Sequence, residues 1–573
     1  MTDRFARALP GDQGTTVAWV LPVVLLLPSI VWWAIDRAPW AWDEALYGEA
    51  TVRYWAAWVD GPLHWLRAVM AGMTIKPPGM TWGAQFFLPL TGLGLTPEQA
   101  MLAFNLLAHL VSGVALADLV VRRCGGGAAS AVAVAFLVMG APLAVGMAHL
   151  FFVEATQFAV VAVIYWLCLA RWPTTPIRQT VLLVFLAVLT LIPKLSTPVY
   201  CLWPMAIAGL VTLRTWYETL SGAGGVRGLA RHFIDQIPRS WPIEVMLVLG
   251  TAFMAIHLVR NWEPLRTYLA YATVSEEALL FGFGHERPLL GKLAYWLESL
   301  QRAIADPVLL GLLALILAVG LLLAWRRQAA SIGAARRVWF DVALVLAQVA
   351  LVLLTYAQVR NEEWRYVLPL LAPIAILLGH ALAYAGRTVA VLAAGVLALQ
   401  FCLTHAMSFG VPIRPFDQFV WVKPAVASSM ERDRVRRAVD LTCGRQTIPV
   451  RVLLGVEINE LSDDTFAFYS MLAGRDLARR CRHGGFHEFR RRYQAGEIDA
   501  VLDEHDFVVT LRELWLLRQI PEWVRWANTY ALPILERVRE RPDFVRIERH
   551  DDGLVIFCRP RQGVDCGIRP GPS

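Results

Sequence analysis

Long apolar runs recur along the chain and are separated by short polar loops. One helix needs about 20 mostly apolar residues to cross the core of a bilayer. The runs that approach this length predict eleven membrane spans, at residues 16–35, 98–121, 127–147, 152–170, 178–193, 196–213, 242–259, 307–325, 338–357, 366–385 and 388–406. The first run is too long for the core of a signal peptide, so we expect it to be retained as a helix.

The apolar pattern changes after residue 406, where short elements replace the long runs. They predict strands at 450–456 and 506–510, helices at 463–472 and 521–541, and a hairpin around His550–Gly553. The expected fold is therefore an α-helical polytopic membrane domain at 1–406, followed by a soluble α/β domain at 407–573.

Composition supports this fold class. Hydrophobic residues make up 57% of the chain and charged residues only 17%, against about 25% charged in typical soluble domains. The formal net charge is +7, but the arginines fall in short loops and in the tail, not on one basic face. This distribution argues against nucleic acid as a partner and favours contact with anionic membrane lipids.

The basic loops fix a predicted orientation. Those on one side of the predicted spans contain Arg4 and Arg7, Arg122–Arg123, Arg171 and Arg178, Arg214–Arg239, Arg326–Arg327 with Arg336–Arg337, and Arg387. Positive residues favour the cytoplasmic side. We therefore expect a plasma (inner) membrane protein with a cytoplasmic N-terminus. Loops 36–97 and 260–306 and the tail then face the outside, as a periplasmic or extracellular part of the cell envelope.

The tail contains four cysteines, at Cys443, Cys481, Cys558 and Cys566. An extracytoplasmic tail would permit one disulfide among them, but the sequence does not fix the pairing.

Ionisable residues gather near the predicted outer ends of the helices. They are Asp43, Glu44, Lys76, Glu154, Lys194, Arg260, Glu263, Glu362, Glu363 and Arg365. Charge in or near the membrane is costly and usually functional. The alternative is that the lysines and arginines only anchor helix ends by reaching into the interface.

Asp43 is placed where a general base could operate. It lies just beyond the first span, where a carboxylate is partly desolvated and can still reach a polar substrate. Lys76 precedes two prolines that hold the backbone extended, and an ammonium binds phosphate as a point charge. A plainer interpretation is that Asp43 and Glu44 cap the helix that follows, and this role is compatible with catalysis.

The first outer loop also carries a family pattern. Asp-Glu-x-x-Tyr-x-Glu runs from Asp43 to Glu49, and Lys-Pro-Pro begins at Lys76. This pair resembles the first-loop signature of the GT-C glycosyltransferases. It is most similar to the branch that contains bacterial aminoarabinose transferase and the protein O-mannosyltransferases. The likeness spans about 400 residues, with weaker matches at Glu154, at Pro193–Ser196 around Lys194, and at Trp364–Pro369 around Arg365. Two departures are Glu in place of Asp at 154 and the Asn-Glu-Glu run before Trp364.

The resemblance implies a sugar donor on polyprenyl phosphate and a lipid, glycan or protein acceptor at the outer face. The catalytic carboxylates would be Asp43, Glu44 and Glu154, with Asp43 taking the acceptor proton in a displacement that inverts the anomeric carbon. The donor phosphate would meet Lys76, Lys194, Arg260 and Arg365. Fixed cations stabilise the charge that grows on a departing phosphate.

Glu154 leaves several roles open. It could orient Asp43, bind a sugar hydroxyl or help to hold a divalent metal, and the plainer alternative is a buried ion pair with Lys194 or Arg260. The Asp-x-Asp pattern of metal-dependent relatives is missing from the first loop, so the sequence contains no clear motif for a divalent metal, and no cofactor is assigned.

The outer loops supply further candidates for contact with substrate. They are Tyr47, Tyr271, His285 and Glu362. Glycines at 282 and 284 suit a mobile lid, while His285 by itself is more typical of an exposed loop residue.

Two other functions compete with glycosyl transfer. A transporter or lipid flippase would share the many helices, but it often shows two related halves with broken helices near the midplane. We find no related halves, and the charges lie at one face. A membrane scaffold whose tail binds a partner is the third hypothesis.

Substituting Asp43→Asn tests the predicted base. We expect the variant to lose turnover while expression and lipid binding remain, because the amide cannot accept the acceptor proton. Release of polyprenyl phosphate from a polyprenyl-phosphate sugar is the measurement. Full activity would remove Asp43 as the base.

Overall fold

The computed structural model describes residues 12–222, 241–276, 278–279, 286–327, 332–413, 422, 424–428, 430–458, 461–511, 528–549 and 554–567. They form two compact units. The first contains residues 1–34, 66–87 and 102–424, and the second contains residues 35–65, 88–101 and 425–573.

Helices dominate the chain as far as residue 408. In order they are α1 (Asp12–Leu25), α2 (Leu27–Ile35), α3 (Trp42–Asp60), α4 (Pro62–Ala71), α5 (Gly79–Ala84), α6 (Pro97–Arg123), α7 (Ala128–Gly140), α8 (Pro142–Ala148), α9 (Val153–Ala170), α10 (Pro176–Leu189), α11 (Thr197–Gly222), α12 (Trp241–Arg260), α13 (Trp262–Val274), α14 (Leu289–Ile304), α15 (Pro307–Arg327), α16 (Ile332–Ala357), α17 (Leu371–Ala385) and α18 (Arg387–Ser408). Segments of 3-10 helix occupy Gln85–Leu93 and Trp364–Leu370.

The helical membrane fold is confirmed, with fewer full-length spans than predicted. Among the described residues, eight helices are long and apolar enough to cross a membrane, or nine if α7 and α8 form one bent span. The segment predicted at 178–193 is the shorter helix α10, which has 14 residues. The predicted span at 196–213 falls within α11, which is not one of the eight. With α7 and α8 counted as one span, nine of the eleven predicted spans lie on these helices of the described residues, and those at 178–193 and 196–213 do not.

A proline breaks the span that contains α7 and α8. The two helices meet at an angle of 57°, and Pro142 is the first residue of α8. Proline disfavours helical geometry in the residue before it, and Ala141 is accordingly extended, with ψ 126°. The break follows directly from the local sequence.

Close packing joins α7 to the last helix of the first unit. A Cβ added to Gly140 would lie 2.7 Å from the Cβ of Phe401 on α18. A small residue is required there, as at many interfaces between membrane helices. Thr404 Oγ1 also donates a hydrogen bond to the Gly140 carbonyl, at 2.9 Å.

The second unit contains a mixed five-stranded sheet of order β2-β1-β3-β5-β4. Its strands are β1 (Val450–Leu454), β2 (Cys481–Gly484), β3 (Phe507–Leu511), β4 (Val545–Arg549) and β5 (Leu554–Cys558). Its helices after residue 425 are α19 (Met430–Val439), α20 (Asp463–Ala473), α21 (Arg475–Arg480), α22 (Phe486–Gln494), α23 (Ile498–Asp503) and α24 (Ala531–Glu540), with a π-helical turn at Asp440–Gly444. Strand β1 is parallel to β2 and β3, whereas β5 is antiparallel to β3 and β4.

Part of the first outer loop belongs to this second unit. The Trp40 ring stacks on Phe468 of α20 at 5.3 Å, and a Cβ at Gly48 of α3 would lie 2.8 Å from the Phe468 ring. Glu98 Oε1 accepts a hydrogen bond from Tyr469 Oη at 3.2 Å. The sequence places this loop with the membrane domain, whereas residues 35–65 and 88–101 pack with the tail.

Most of the tail elements that the sequence predicts are present in the structure. Strands β1, β3, β4 and β5 and helix α20 lie where the pattern predicts them, and Ser462 caps α20 by accepting from the Thr465 amide. Strand β2 and helices α19, α21, α22 and α23 were not predicted. The hairpin turn and residues 521–527 of the helix predicted at 521–541 lie outside the described residues, and α24 occupies Ala531–Glu540 within the rest of that helix.

Two disulfides close the second unit, one more than expected. They join Cys443 to Cys481 and Cys558 to Cys566, across 38 and 8 residues of sequence. The first ties the π-helical turn after α19 to β2, and the second ties β5 to the segment that follows it.

We expect the two disulfides to contribute unequally to stability. Closing the longer loop removes more entropy from the unfolded chain, about 4 kcal/mol against about 2.5 kcal/mol in a chain-entropy estimate. The Cys443→Ser/Cys481→Ser pair should therefore lower the melting temperature of the second unit more than Cys558→Ser/Cys566→Ser. Peptide mapping without reductant checks the pairing. Equal losses of stability would contradict the ranking.

Candidate active site

A buried carboxylate lies at the start of α9 in the first unit. Glu154 is in the first turn of this apolar helix and is 1% exposed. Residues 149–152 precede the helix, and Asn105 of α6 fixes them by donating to the carbonyls of Leu150 at 2.6 Å and Phe152 at 3.3 Å. An amide in the membrane domain thus positions the segment that leads into Glu154.

Two cations share one oxygen of this carboxylate. Lys194 Nζ lies 2.8 Å from Glu154 Oε1, and Arg365 Nε lies 3.3 Å from the same atom. Arg365 Nε also donates to Glu363. The plainer expectation of an ion pair between Glu154 and Lys194 is confirmed, with Arg365 as the second cation.

The second carboxylate oxygen of Glu154 has a different environment from the first. Glu154 Oε2 is buried and has no hydrogen-bond partner among the described residues. A buried acceptor without a donor is costly. This oxygen can therefore accept a hydrogen bond from a ligand hydroxyl or amine.

Aromatic rings cover both cations. Lys194 Nζ lies 3.8 Å from the centre of the Tyr366 ring, and the Arg365 guanidinium lies 4.6 Å from that of Phe152. Ring faces attract cations, so they hold the two groups in place. The side chains remain partly accessible, with 23% of Lys194 and 13% of Arg365 exposed.

Lys194 lies in the turn between α10 and α11. The Lys194 carbonyl accepts a hydrogen bond from Thr197 Oγ1 at 2.6 Å, and Gln157 of α9 donates to the hydroxyls of Ser196 and Thr197, each at 3.3 Å. Helix α9 therefore positions both Glu154 and the turn that presents its partner. Burial lowers the pKa of the Lys194 ammonium, while the Glu154 carboxylate opposes that shift.

The charges of this cluster balance. Glu154 and Glu363 bring two negative charges, and Lys194 and Arg365 bring two positive charges. Glu363 is the more exposed acid, at 21%. An incoming anion can replace it on Arg365 without removing the buried Glu154.

The remaining candidates of the first unit are more dispersed. Lys76 is 7% exposed, with its ammonium 5.5 Å from the centre of the Tyr268 ring. Tyr271 lies beside Tyr268, with 6.3 Å between ring centres. Glu362 is buried, and its Oε2 lies 3.8 Å from Arg287 Nε. Arg260 is exposed at the end of α12. His285 lies outside the described residues, as do both glycines of the predicted lid.

Asp43, Glu44 and Tyr47 belong to the second unit. They lie in α3, where Glu44 and Tyr47 are each 4% exposed and Asp43 is partly exposed. The residue before the helix is Ala41, which makes no side-chain cap hydrogen bond, and Asp43 and Glu44 lie in the first turn. The alternative in which these two acids cap the helix stays a prediction. Their catalytic roles, and their gathering with Lys76, Glu154 and Arg365 around one cavity, stay predictions.

Sequence reasoning missed the supporting residues of the cluster. Asn105 is an amide within a long apolar helix, and that mismatch was a usable signal. Tyr366 and Phe152 are aromatic residues among many others, and nothing in their spacing marks them as partners of cations. Within the described residues, no three His, Cys, Asp or Glu side chains form a group that could hold a metal ion.

Removing Glu154 should destabilise the first unit. The Glu154→Ala variant leaves Lys194 and Arg365 without their shared carboxylate, and loss of one partner of a buried pair costs about 3–5 kcal/mol. We expect a lower melting temperature in detergent. Glu363→Ala is the matched control and should lose less, because Glu363 is partly exposed. Equal stability of Glu154→Ala and the unmodified protein would refute a stabilising role for the cluster.

Comparison with known proteins finds similarity in solved structures alone: no protein-family model and no curated sequence matches the chain. The crystal structure of ArnT from Cupriavidus metallidurans bound to undecaprenyl phosphate has a TM-score of 0.46 at 14% identity, over 97% of this chain and 99% of that one. Its apo state gives 0.45 at 14% identity, over 96% and 99%. The Archaeoglobus fulgidus oligosaccharyltransferase in complex with Zn and sulfate gives 0.38 at 11% identity, over 94% and 73%.

Proposed function

We propose that the protein is a membrane glycosyltransferase that moves a sugar from a polyprenyl-phosphate donor to an acceptor at the outer face of the membrane. The observation that carries the proposal is the buried Glu154 carboxylate, which shares one oxygen between Lys194 and Arg365 and leaves its other oxygen without a partner. Such a cluster in an apolar helical unit is expensive to maintain. This free-energy cost is explained if the cluster binds a charged, polar substrate that reaches it from the lipid.

Lys194 and Arg365 would bind the donor phosphate. A polyprenyl tail stays among the apolar helices, and its phosphate requires positive charge at the boundary with water. Lys194 and Arg365 are partly exposed and held by aromatic rings. The phosphate would exchange with Glu363 on Arg365, and Lys76 is a further candidate cation in the same unit. Arg260 stays a candidate as well.

The reaction would be a single displacement. The acceptor oxygen forms a bond to the anomeric carbon, the bond from that carbon to the phosphate oxygen breaks, and the electron pair leaves with the phosphate. The acceptor proton passes to a carboxylate, for which Asp43 is our proposed base, with Glu44 beside it. Glu154 Oε2 would accept a hydrogen bond from a sugar hydroxyl. Negative charge grows on the leaving phosphate, so fixed cations stabilise the transition state more than the ground state.

The sequence supports the proposed location and orientation. Arginine-rich loops favour a plasma (inner) membrane with the N-terminus in the cytoplasm and the tail outside. The two disulfides of the second unit agree with an oxidising compartment for the tail. The acceptor would then be a lipid, glycan or protein of the cell envelope.

A second candidate function is transport of a lipid or solute without chemical change. The bent pair α7 and α8 favours it, because discontinuous helices line the substrate sites of many transporters. Counterflow of a substrate through sealed vesicles, with the substrate chemically unaltered, would support this function.

Purified protein tests the main proposal. Given a polyprenyl-phosphate sugar and an extract of envelope acceptors, it should release polyprenyl phosphate. Arg365→Gln should lower kcat about 10²–10³-fold, the usual cost of losing a group that stabilises developing charge. Arg266→Gln is the matched control, because Arg266 forms an exposed pair with Glu263, and it should leave kcat unchanged. Equal kcat in the two variants would remove Arg365 from the mechanism.

A further inference from the structure

The backbone of Trp42 is unusual at the point where α3 begins. Its φ is 41°, a left-handed conformation that is rare for a bulky side chain. Such a conformation costs free energy and persists only where the surrounding structure imposes it. Asp43, the proposed base, is the next residue. The direction in which Asp43 leaves the backbone therefore depends on whatever holds Trp42.

One side chain of the tail holds Trp42. The indole Nε1 of Trp42 donates a hydrogen bond to Glu457 Oε1 at 3.0 Å. Glu457 follows β1 and is 3% exposed. Its carboxyl group therefore reaches Trp42 from inside the second unit, across 415 residues of sequence.

The backbone of Glu457 is fixed in turn. Its amide donates to Asn528 Oδ1 at 2.7 Å, and its carbonyl accepts from Asn528 Nδ2 at 2.6 Å. These two hydrogen bonds with the Asn528 side-chain amide fix the backbone of Glu457 against Asn528, which precedes α24. The backbone that carries the Glu457 carboxyl group is therefore held rigidly.

An acid buried at position 457 carries a free-energy cost. Burial raises the pKa of the Glu457 carboxyl well above its ordinary value, and Asp463 and Asp464 raise it further. Its Oε2 has no hydrogen-bond partner among the described residues. An apolar side chain of similar size would avoid these costs, but it could not accept the indole hydrogen bond.

The rest of α3 is docked on the same unit. Gly48 is close enough to Phe468 that an added Cβ would lie 2.8 Å from its ring, and Tyr47 and Tyr54 are buried. Contact at Gly48 fixes the middle of the helix, and the bond from Trp42 to Glu457 fixes its first residue. Both the axis and the start of α3 are thereby set.

We infer that Glu457 is a positioning residue for the reaction, which acts through Trp42 to aim the Asp43 carboxylate. This inference rests on the proposed function, in which Asp43 is the base. It gives the tail a part in catalysis that does not require Glu457 to touch the substrate.

Four variants test the inference in the full-length protein. Trp42→Phe keeps a ring but loses the N–H, and Glu457→Leu loses the acceptor. Each should lower kcat about 10–100-fold, the scale expected from a misplaced catalytic group, while the KM for the donor changes less than twofold. Glu457→Gln keeps an acceptor oxygen and should restore most of kcat. The Trp42→Phe/Glu457→Leu double variant should be no slower than the slower single variant. Trp58→Phe, an exposed indole on the same helix, is the control and should leave kcat unchanged.

Hydrogen exchange separates this inference from the proposed function. Amides of residues 42–47 should exchange faster in Trp42→Phe and Glu457→Leu, and at the normal rate in Glu457→Gln and Trp58→Phe. This result is measurable even if the protein transfers no sugar, in which case the proposed function fails and the anchoring of α3 stands. Unchanged exchange in Glu457→Leu would overturn the anchoring. Faster exchange with unchanged kcat in an active enzyme would overturn the positioning role.

Discussion

A carboxylate buried among apolar helices must be paired, and in this protein the pairing determines how the first unit is built. Glu154 on α9 brings together the turn that contains Lys194 and the 3-10 segment that contains Arg365. Each of these elements is further constrained, by Asn105, by Gln157 and by aromatic rings. The cost of burying charge is offset only while all of them keep their places. Rigid placement of charge is also what catalysis by electrostatic stabilisation requires.

Much of this arrangement could be predicted from the sequence. Long apolar runs located the helices, and the isolated charges at their ends singled out Glu154, Lys194 and Arg365. Pairing was harder to predict, because Arg260 and Arg365 are equally reasonable partners when only distance along the chain is known. Strand β2 escaped prediction because Cys481–Gly484 is four residues long and lies at a sheet edge, with polar residues in place of an apolar alternation. The break at Pro142 was also open to prediction, because a proline inside the apolar run at 127–147 disfavours a continuous helix.

The second unit is assembled from segments that are far apart in the sequence, so a division of the chain at a single residue does not describe it. Helix α3 lies in a predicted outer loop and carries charged and aromatic residues. Its packing against α20 depends on the glycine at position 48 and on the rings of Trp40 and Phe468. None of these contacts follows from periodicity. They place Asp43, the proposed base, in the same compact unit as the tail. The motif at Asp43–Glu49 and the α/β elements of the tail are therefore parts of one compact unit.

The discontinuity of this unit has a consequence for biosynthesis. Residues 35–65 leave the ribosome about 370 residues before the segment that begins at 425, with which they pack. At a typical 5–20 residues per second, that interval is about 20–70 s. Throughout it, the rings of α3 and the Trp42 indole have not yet met Phe468 and Glu457. The unit therefore closes late, after the intervening helices have been synthesised.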